Sequence, residues 1–313
     1  MASPAVSRPK RAHIPSKLMR ESLLDKQVMA STDSDTEVCI LPDVNILVLG
    51  GQSILDRGKK AMTPVLDAIV KSRKKHKLVI GVGAGARVRH TYHICLDLGI
   101  PLGGMAMVAG AVDEQNTRLV ASLLAKYKGI ALNKDHFLDL PLWLEAGMIP
   151  ITTGMPPYHY WEPPNDNADR MPTHGEDLGM FMMGEVLGGR SVIYIKDEDG
   201  LYTEDPKKNP KARLIPAIEA NELLEMDLPE LILEKSVVQT MVNSRHMKQV
   251  QIVNGLKPEM ISRALNGEPV GTIIYCGEEN HPSKGMWPWT DGRKKSARAK
   301  NGKVAKKSVR RAR

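Results

Sequence analysis

The sequence predicts an α/β fold, a three-layer αβα sandwich on a mainly parallel central sheet. Three observations carry this. Short apolar runs of strand character recur along most of the chain. Helical patterns separate most of them, which is the signature of βαβ units with helices on both faces of a sheet. Several of those patterns stop at glycine, as at Gly99, Gly129 and Gly188, where a left-handed residue ends a helix cheaply.

In order, residues 1–40 are polar and weakly periodic and read as a flexible N-terminal arm, with a short helix around Leu18–Met29. Strands are expected at 44–50, 77–83, 129–132, 148–154, 191–197, 249–255 and 270–276. Helices are expected at 58–74, 85–98, 112–127, 176–188, 231–246 and 258–266. Two stretches break the rhythm: residues 155–175, with five prolines, and the polar segment 203–216. Ligands of open α/β sheets sit beyond the carboxyl ends of strands, so both loops are placed to line a site. One domain is expected over 41–277, followed by a disordered basic tail, 278–313.

Composition narrows the function classes. The chain has 313 residues, 42% of them hydrophobic, enough for a core of one large domain. No apolar stretch approaches the roughly 18 residues of a membrane span, and the N-terminus has no apolar signal core. Cys39, Cys95 and Cys276 are scattered and read as reduced thiols of a cytoplasmic protein. The net charge of +8 is uneven, because residues 293–313 hold 11 basic residues and no acids. Without them, 33 basic residues face 36 acidic ones, and the body carries −3. The tail admits nonspecific nucleic-acid contact, which is not the favoured reading, since 4% aromatics argue against base-stacking platforms.

Two glycine-rich turns follow strands and lead into helices: Gly50-Gly51-Gln52-Ser53 and Gly81-Val82-Gly83-Ala84-Gly85-Ala86-Arg87. Bare backbone N–H groups at two helix starts suit a polyanion, with Arg87 and Arg89 adding charge; the alternative is that the glycines only make tight turns. Neither turn is a P-loop or a dinucleotide fingerprint. His90 and His93, three apart on a helix, lack a third ligand nearby and read as packing and polar contacts. The 17 methionines, Met180, Met182 and Met183 among them, read as core filler.

A more specific pattern is Lys196-Asp197-Glu198-Asp199-Gly200-Leu201-Tyr202-Thr203-Glu204-Asp205-Pro206-Lys207. With the glycine turns, the Pro156-Pro157-Tyr158-His159 segment and the ending 253–274, it resembles the uridylate-kinase-like branch of the amino acid kinase family, over roughly 41–275. Within that branch the likeness is to molybdenum-storing members. The resemblance implies the amino acid kinase fold and binding of ATP with Mg²⁺. It also implies loading of molybdate or tungstate as polynuclear oxide clusters in a hexameric cage, built with a homologous sister subunit or with copies of this chain. It implies that Gly50, Gly51, Gly83, Gly85 and Arg87 hold phosphate or oxyanion groups, and that Lys196, Asp199, Tyr202 and Asp205 frame the nucleotide. It further implies that His159, Gln115 and Asn116 face the cavity where clusters grow, with His136 a looser candidate. Asp177, in the place of the family's conserved acid, is the catalytic candidate, ordering the nucleotide site through Mg²⁺ or water; a helix cap is the structural alternative. One departure stands out. The family's K-x-G-G lysine is replaced by Val48, and Lys59, Lys60 or Lys196 are the candidates to substitute. The change weakens the alternative of a uridylate-type kinase more than it weakens storage.

Overall fold

In the computed structural model, which describes residues 38–153, 171–228 and 230–285, the apolar runs form the expected strands. They are β1 (Val44–Leu49), β2 (Lys77–Val82), β3 (Gly129–Leu132), β4 (Ile149–Thr152) and β5 (Ser191–Lys196). The strands β6 (Leu201–Tyr202), β7 (Leu214–Ile215) and β8 (Ala217–Glu219) are short, and β9 (Gln249–Asn254) and β10 (Thr272–Tyr275) complete the set. Eight of them make one sheet in the order β3-β4-β2-β1-β5-β9-β10-β8, and β6 and β7 form a separate ribbon. Within the eight-stranded sheet every pair is parallel except β9 with β10, so it is mainly parallel, while the β6–β7 ribbon is antiparallel. Every residue of β1, β5 and β9 is buried, as expected of strands covered on both faces.

The helices are α1 (Lys59–Ser72), α2 (Ala86–Asp97), α3 (Leu102–Leu124), α4 (Leu140–Glu145), α5 (Glu176–Leu187), α6 (Ala220–Glu225), α7 (Lys235–Val242) and α8 (Glu259–Leu265). On α1, Met62, Val65, Leu66 and Ile69 turn one face to the sheet at helical spacing. α1 packs with α8, α2 with α3, and α5 with α7. One apolar cluster spans the central strands and these helices; Met180 and Met183 are buried in it and Met182 packs against it.

The differences from expectation have local causes. α3 begins ten residues earlier than 112, because small residues around Gly103 and Gly104 mask a buried stripe of Met105, Ala106, Ala109 and Val112. The short α4 and α6 hold too few residues to show a period. The polar segment 203–216 carries β7, which pairs Leu214 with Tyr202. Residues 278–285, grouped with the tail on composition, form two 3-10 turns. Asn280 anchors them: its side chain donates to the Cys276 carbonyl at 2.6 Å, and its backbone carbonyl accepts from the Gln249 side chain. Among the described residues, no helix is long and apolar enough to cross a membrane.

The connections put β2 and β5 on opposite sides of β1, so the chain order reverses there. The crevice beyond the carboxyl ends of β1, β2 and β5 is where such sheets bind ligands.

Candidate functional site

Three strand ends converge at that crevice. Gly50 N–H donates to the Ile195 carbonyl at 3.0 Å, and Gly83 N–H donates to the Leu49 carbonyl at 2.9 Å, which ties the turns after β1 and β2 to their neighbours. The turns touch backbone to backbone. A Cβ on Gly51 would lie 2.2 Å from Gly85 N and 2.5 Å from Gly83 O, so only glycine fits. Gly85 has φ +74°, and the Asp56 carboxylate caps α2 beside it, accepting from Ala86 N–H at 2.6 Å. The glycines of the second turn therefore act first as a joint, and the amide at the start of α2 already has an anion.

A cleft of about 510 Å³ opens on the first turn. Gly50, Gly51, Gln52 and Ser53 form one wall; Arg57, Arg89, Lys196 and Lys207 supply four cations against the carboxylates of Asp56 and Asp197. Burial pushes the Asp197 carboxyl up, but hydrogen bonds from Arg57 and Lys207 outweigh it and hold the group below the usual range. Asp197, Lys207 and Ile232 also line a second cleft of about 180 Å³, with Tyr202, Asp205 and Leu231 among its walls. The two form a groove that is cationic at one end and acidic and apolar at the other.

Lys196, at the end of β5, is the buried cation of the first cleft. Its ammonium reaches both Asp177 oxygens at 2.7 and 2.9 Å, with the two side chains 11% and 12% exposed. Asp177 is thus committed to Lys196, and its N–H to Glu234, so it does not take the helix-cap role: Glu234 caps α5, accepting from Gly175, Asp177 and Leu178 N–H at 3.1–3.2 Å. Tyr194 donates to the Asp177 carbonyl at 2.9 Å, and burial pushes its phenol well up. Glu176 accepts from Val82 N–H at 3.2 Å. Asp113, fully buried on α3, faces the Glu176 carboxyl; burial pushes its own carboxyl well up.

Other expected residues go elsewhere. Arg87 turns away from the cleft: it donates to Gln115 at 3.3 Å and to the Asn116 side-chain oxygen. Asn116, 0% exposed, donates to the Gly83 and Ala84 carbonyls at 2.8 and 3.0 Å. An Asn so enclosed cannot line a cavity; it braces the second turn and positions Arg87, while Gln115 is exposed. Asp199 lines neither cleft and pairs with Lys257 at 2.6 and 2.8 Å, whose hydrogen bond, with that of Asn254, lowers its carboxyl. His159 lies outside the described residues. His90 and His93 are exposed rather than packed, and His136, also exposed, pairs with Asp139 at 3.2 Å. Among the described residues no group of three or more His, Cys, Asp or Glu suits a metal ion.

The family model described as "Amino acid kinase family" matches residues 43–261. The chain belongs to the amino acid kinase family. It is 41% identical over 257 residues to the molybdenum storage protein subunit beta of Azotobacter vinelandii, covering 82% of this chain and 95% of that one. It is 26% identical over 247 residues to a uridylate kinase of Methanothermobacter thermautotrophicus, covering 73% and 97%. Its fold is that of the uridylate kinase from Archaeoglobus fulgidus, with TM-score 0.56 at 20% identity over 74% and 99% of the chains. The UMP kinase from Bacillus anthracis is similar in fold too, with TM-score 0.59 at 16% identity over 75% and 96%.

For a member of the amino acid kinase family, the first turn is unusual. Val48 is 0% exposed, so no ammonium enters the cleft from β1. Lys196 enters from the adjacent strand instead, while Lys59 and Lys60, exposed at the start of α1, lie outside the cleft. The donor set suits a polyanion such as a nucleotide's phosphates. Both cleft carboxylates are engaged, Asp56 by Ala86 N–H and Asp197 by Arg57 and Lys207, so Mg²⁺ fits as the companion of phosphates rather than as an ion the protein holds alone. Asp56, Asp197 and Lys207 carry no site signal of their own in the sequence, although Asp197 and Lys207 stand inside the segment 196–207. Nothing in the sequence marked Glu234 or Asp113 as neighbours.

Proposed function

We propose that the protein stores molybdenum or tungsten oxyanions as polynuclear oxide clusters, using ATP with Mg²⁺, in a hexameric cage with a sister subunit or with copies of itself in the cytoplasm. The observation that carries the reading is the 41% identity, over 82% of the chain, to a molybdenum storage protein subunit. The groove supports it. Lys196, held rigid by Asp177, with Arg57, Arg89 and Lys207, would neutralise the phosphates, while the Gly50–Gly51 turn lets them approach the backbone. Tyr202 and Leu231 would take the nucleoside at the other end. ATP turnover would supply the driving force for accumulating oxyanions against their own repulsion.

The test is elemental analysis of the full chain, expressed with its sister subunit and grown on molybdate. The expected result is many molybdenum or tungsten atoms per chain, retained through gel filtration and gained only with ATP. Metal no higher than a buffer blank, beside brisk phosphoryl transfer from ATP to UMP, would overturn storage in favour of a uridylate-type kinase.

A further inference from the structure

Lys196 stands between the anion cleft and a cluster of four carboxyl groups drawn from three elements. Asp113 comes from α3, Glu176 and Asp177 from the first turn of α5, and Glu234 from the residue before α7. The groups that face Glu234 are Asp177 and the N–H groups of Gly175 and Leu178 from α5, Lys196 and Tyr194 from β5, and Asp113 from α3. Lys196 gives its hydrogen bonds to Asp177 alone within this cluster. Asp113 is 0% exposed and faces the Glu176 carboxyl, with Glu234 and Asp177 also close, so the cluster does not carry four charges in so dry a place; it holds protons.

We propose that anion binding in the cleft draws a proton from solvent onto this carboxyl cluster, so that affinity for phosphate groups weakens as pH rises. The inference rests on the reading of the cleft as an anion site. A phosphate at the Lys196 ammonium adds negative charge beside Asp177 and draws on the cation that lies against the carboxyls behind it. Ionisation there becomes harder, and the group nearest its titration gains the proton. That group is Glu234, whose carboxyl burial has already raised to about 7. No bond is made or broken beyond transfer of one proton from water to a carboxylate.

The experiment is isothermal titration calorimetry of the full chain with MgATP at pH 7.5, in two buffers of different ionisation enthalpy. That pH lies above the terminal phosphate's own second ionisation, about 6. The expected result is a buffer-dependent heat that reports a fraction of one proton taken up per ATP. Affinity should fall by up to about tenfold per pH unit between 7 and 8. Glu234→Gln should bind ATP with at most half that uptake. Asp113→Asn, a neutral isostere for a carboxyl that already holds its proton, should keep the uptake, and the fall of wild-type affinity from pH 7 to 8 carries the test if Glu234→Gln folds poorly. Tight binding with equal heats in both buffers, equal uptake in the wild type and Glu234→Gln, or an affinity unchanged from pH 7 to 8 would defeat the coupling and leave the cleft standing. No ATP binding in any buffer would defeat the cleft reading and the coupling together.

Discussion

Replacing Lys196 with methionine tests how the site is held. The ammonium lies 2.7 and 2.9 Å from the two Asp177 oxygens, and neither side chain is more than 12% exposed. Removing one partner of a buried pair strands the other charge, at about 3–5 kcal/mol. The stranded carboxylate here also faces Glu234, which places the expected loss for Lys196→Met in the upper half of that range at pH 8. For a domain of this size that is a fall of roughly 8–20 °C in melting temperature. Below about 7, where Glu234 holds its proton, the loss should shrink. The assay is urea denaturation of wild type, Lys196→Met, Asp177→Leu and the double variant, at pH 8 and pH 5.5. The double variant should recover at least about 2 kcal/mol relative to the sum of the singles. Additive losses at both pH values would refute the claim that this pair holds the strand end in place.

Four other outcomes follow from the same geometry. Gly51→Ala should force the two turns apart, since its Cβ would meet Gly85 N at 2.2 Å, and should lower the melting temperature and abolish ATP binding seen by calorimetry. Asn116→Leu should cost roughly 2–4 kcal/mol in chemical denaturation, because the Gly83 and Ala84 carbonyls lose their donor in a buried place. Asp56→Asn keeps an acceptor for Ala86 N–H but removes a negative charge from the cleft, so ATP should bind a few-fold tighter in low salt. Glu234 titrates at about 7 in the folded chain and near 4.5 when unfolded, so the native state binds more protons between these values. Stability from this group is full at the acid end and is lost as pH rises toward about 7, by on the order of 3 kcal/mol. Melting curves of Glu234→Gln across pH 5–8 should be flatter than those of the wild type.

The wide spacing of the site residues explains which parts were legible beforehand. β1, β5 and β9 announce themselves as apolar runs, and α1 as a 3.6-residue stripe, because each is written in neighbouring residues. The N-terminal half of α3 was missed because Gly103 and Gly104 read as breakers, and only packing against the body reveals their buried stripe. In the site, Gly50, Gly51 and Lys196 were expected together and line one cleft, while Tyr202 and Asp205 line its extension. The sequence pattern points Arg87 and Asn116 at ligands, whereas in the fold they bond to each other, because the start of α2 comes down beside the middle of α3.

The sequence by itself determined the fold class, the two glycine turns, the replacement of the β1 lysine by Val48 and, through its motifs, the family. Those are local facts, carried by residue type and spacing. Only the tertiary structure decided that Lys196 is bonded to Asp177, that Asp56 caps α2 and that Asp113, Glu176, Asp177 and Glu234 are buried side by side. The reason is physical: a charge's neighbours and its exposure to water set what it does. For residues 113 to 234, those are created when three elements and a strand, far apart in the chain, pack against each other.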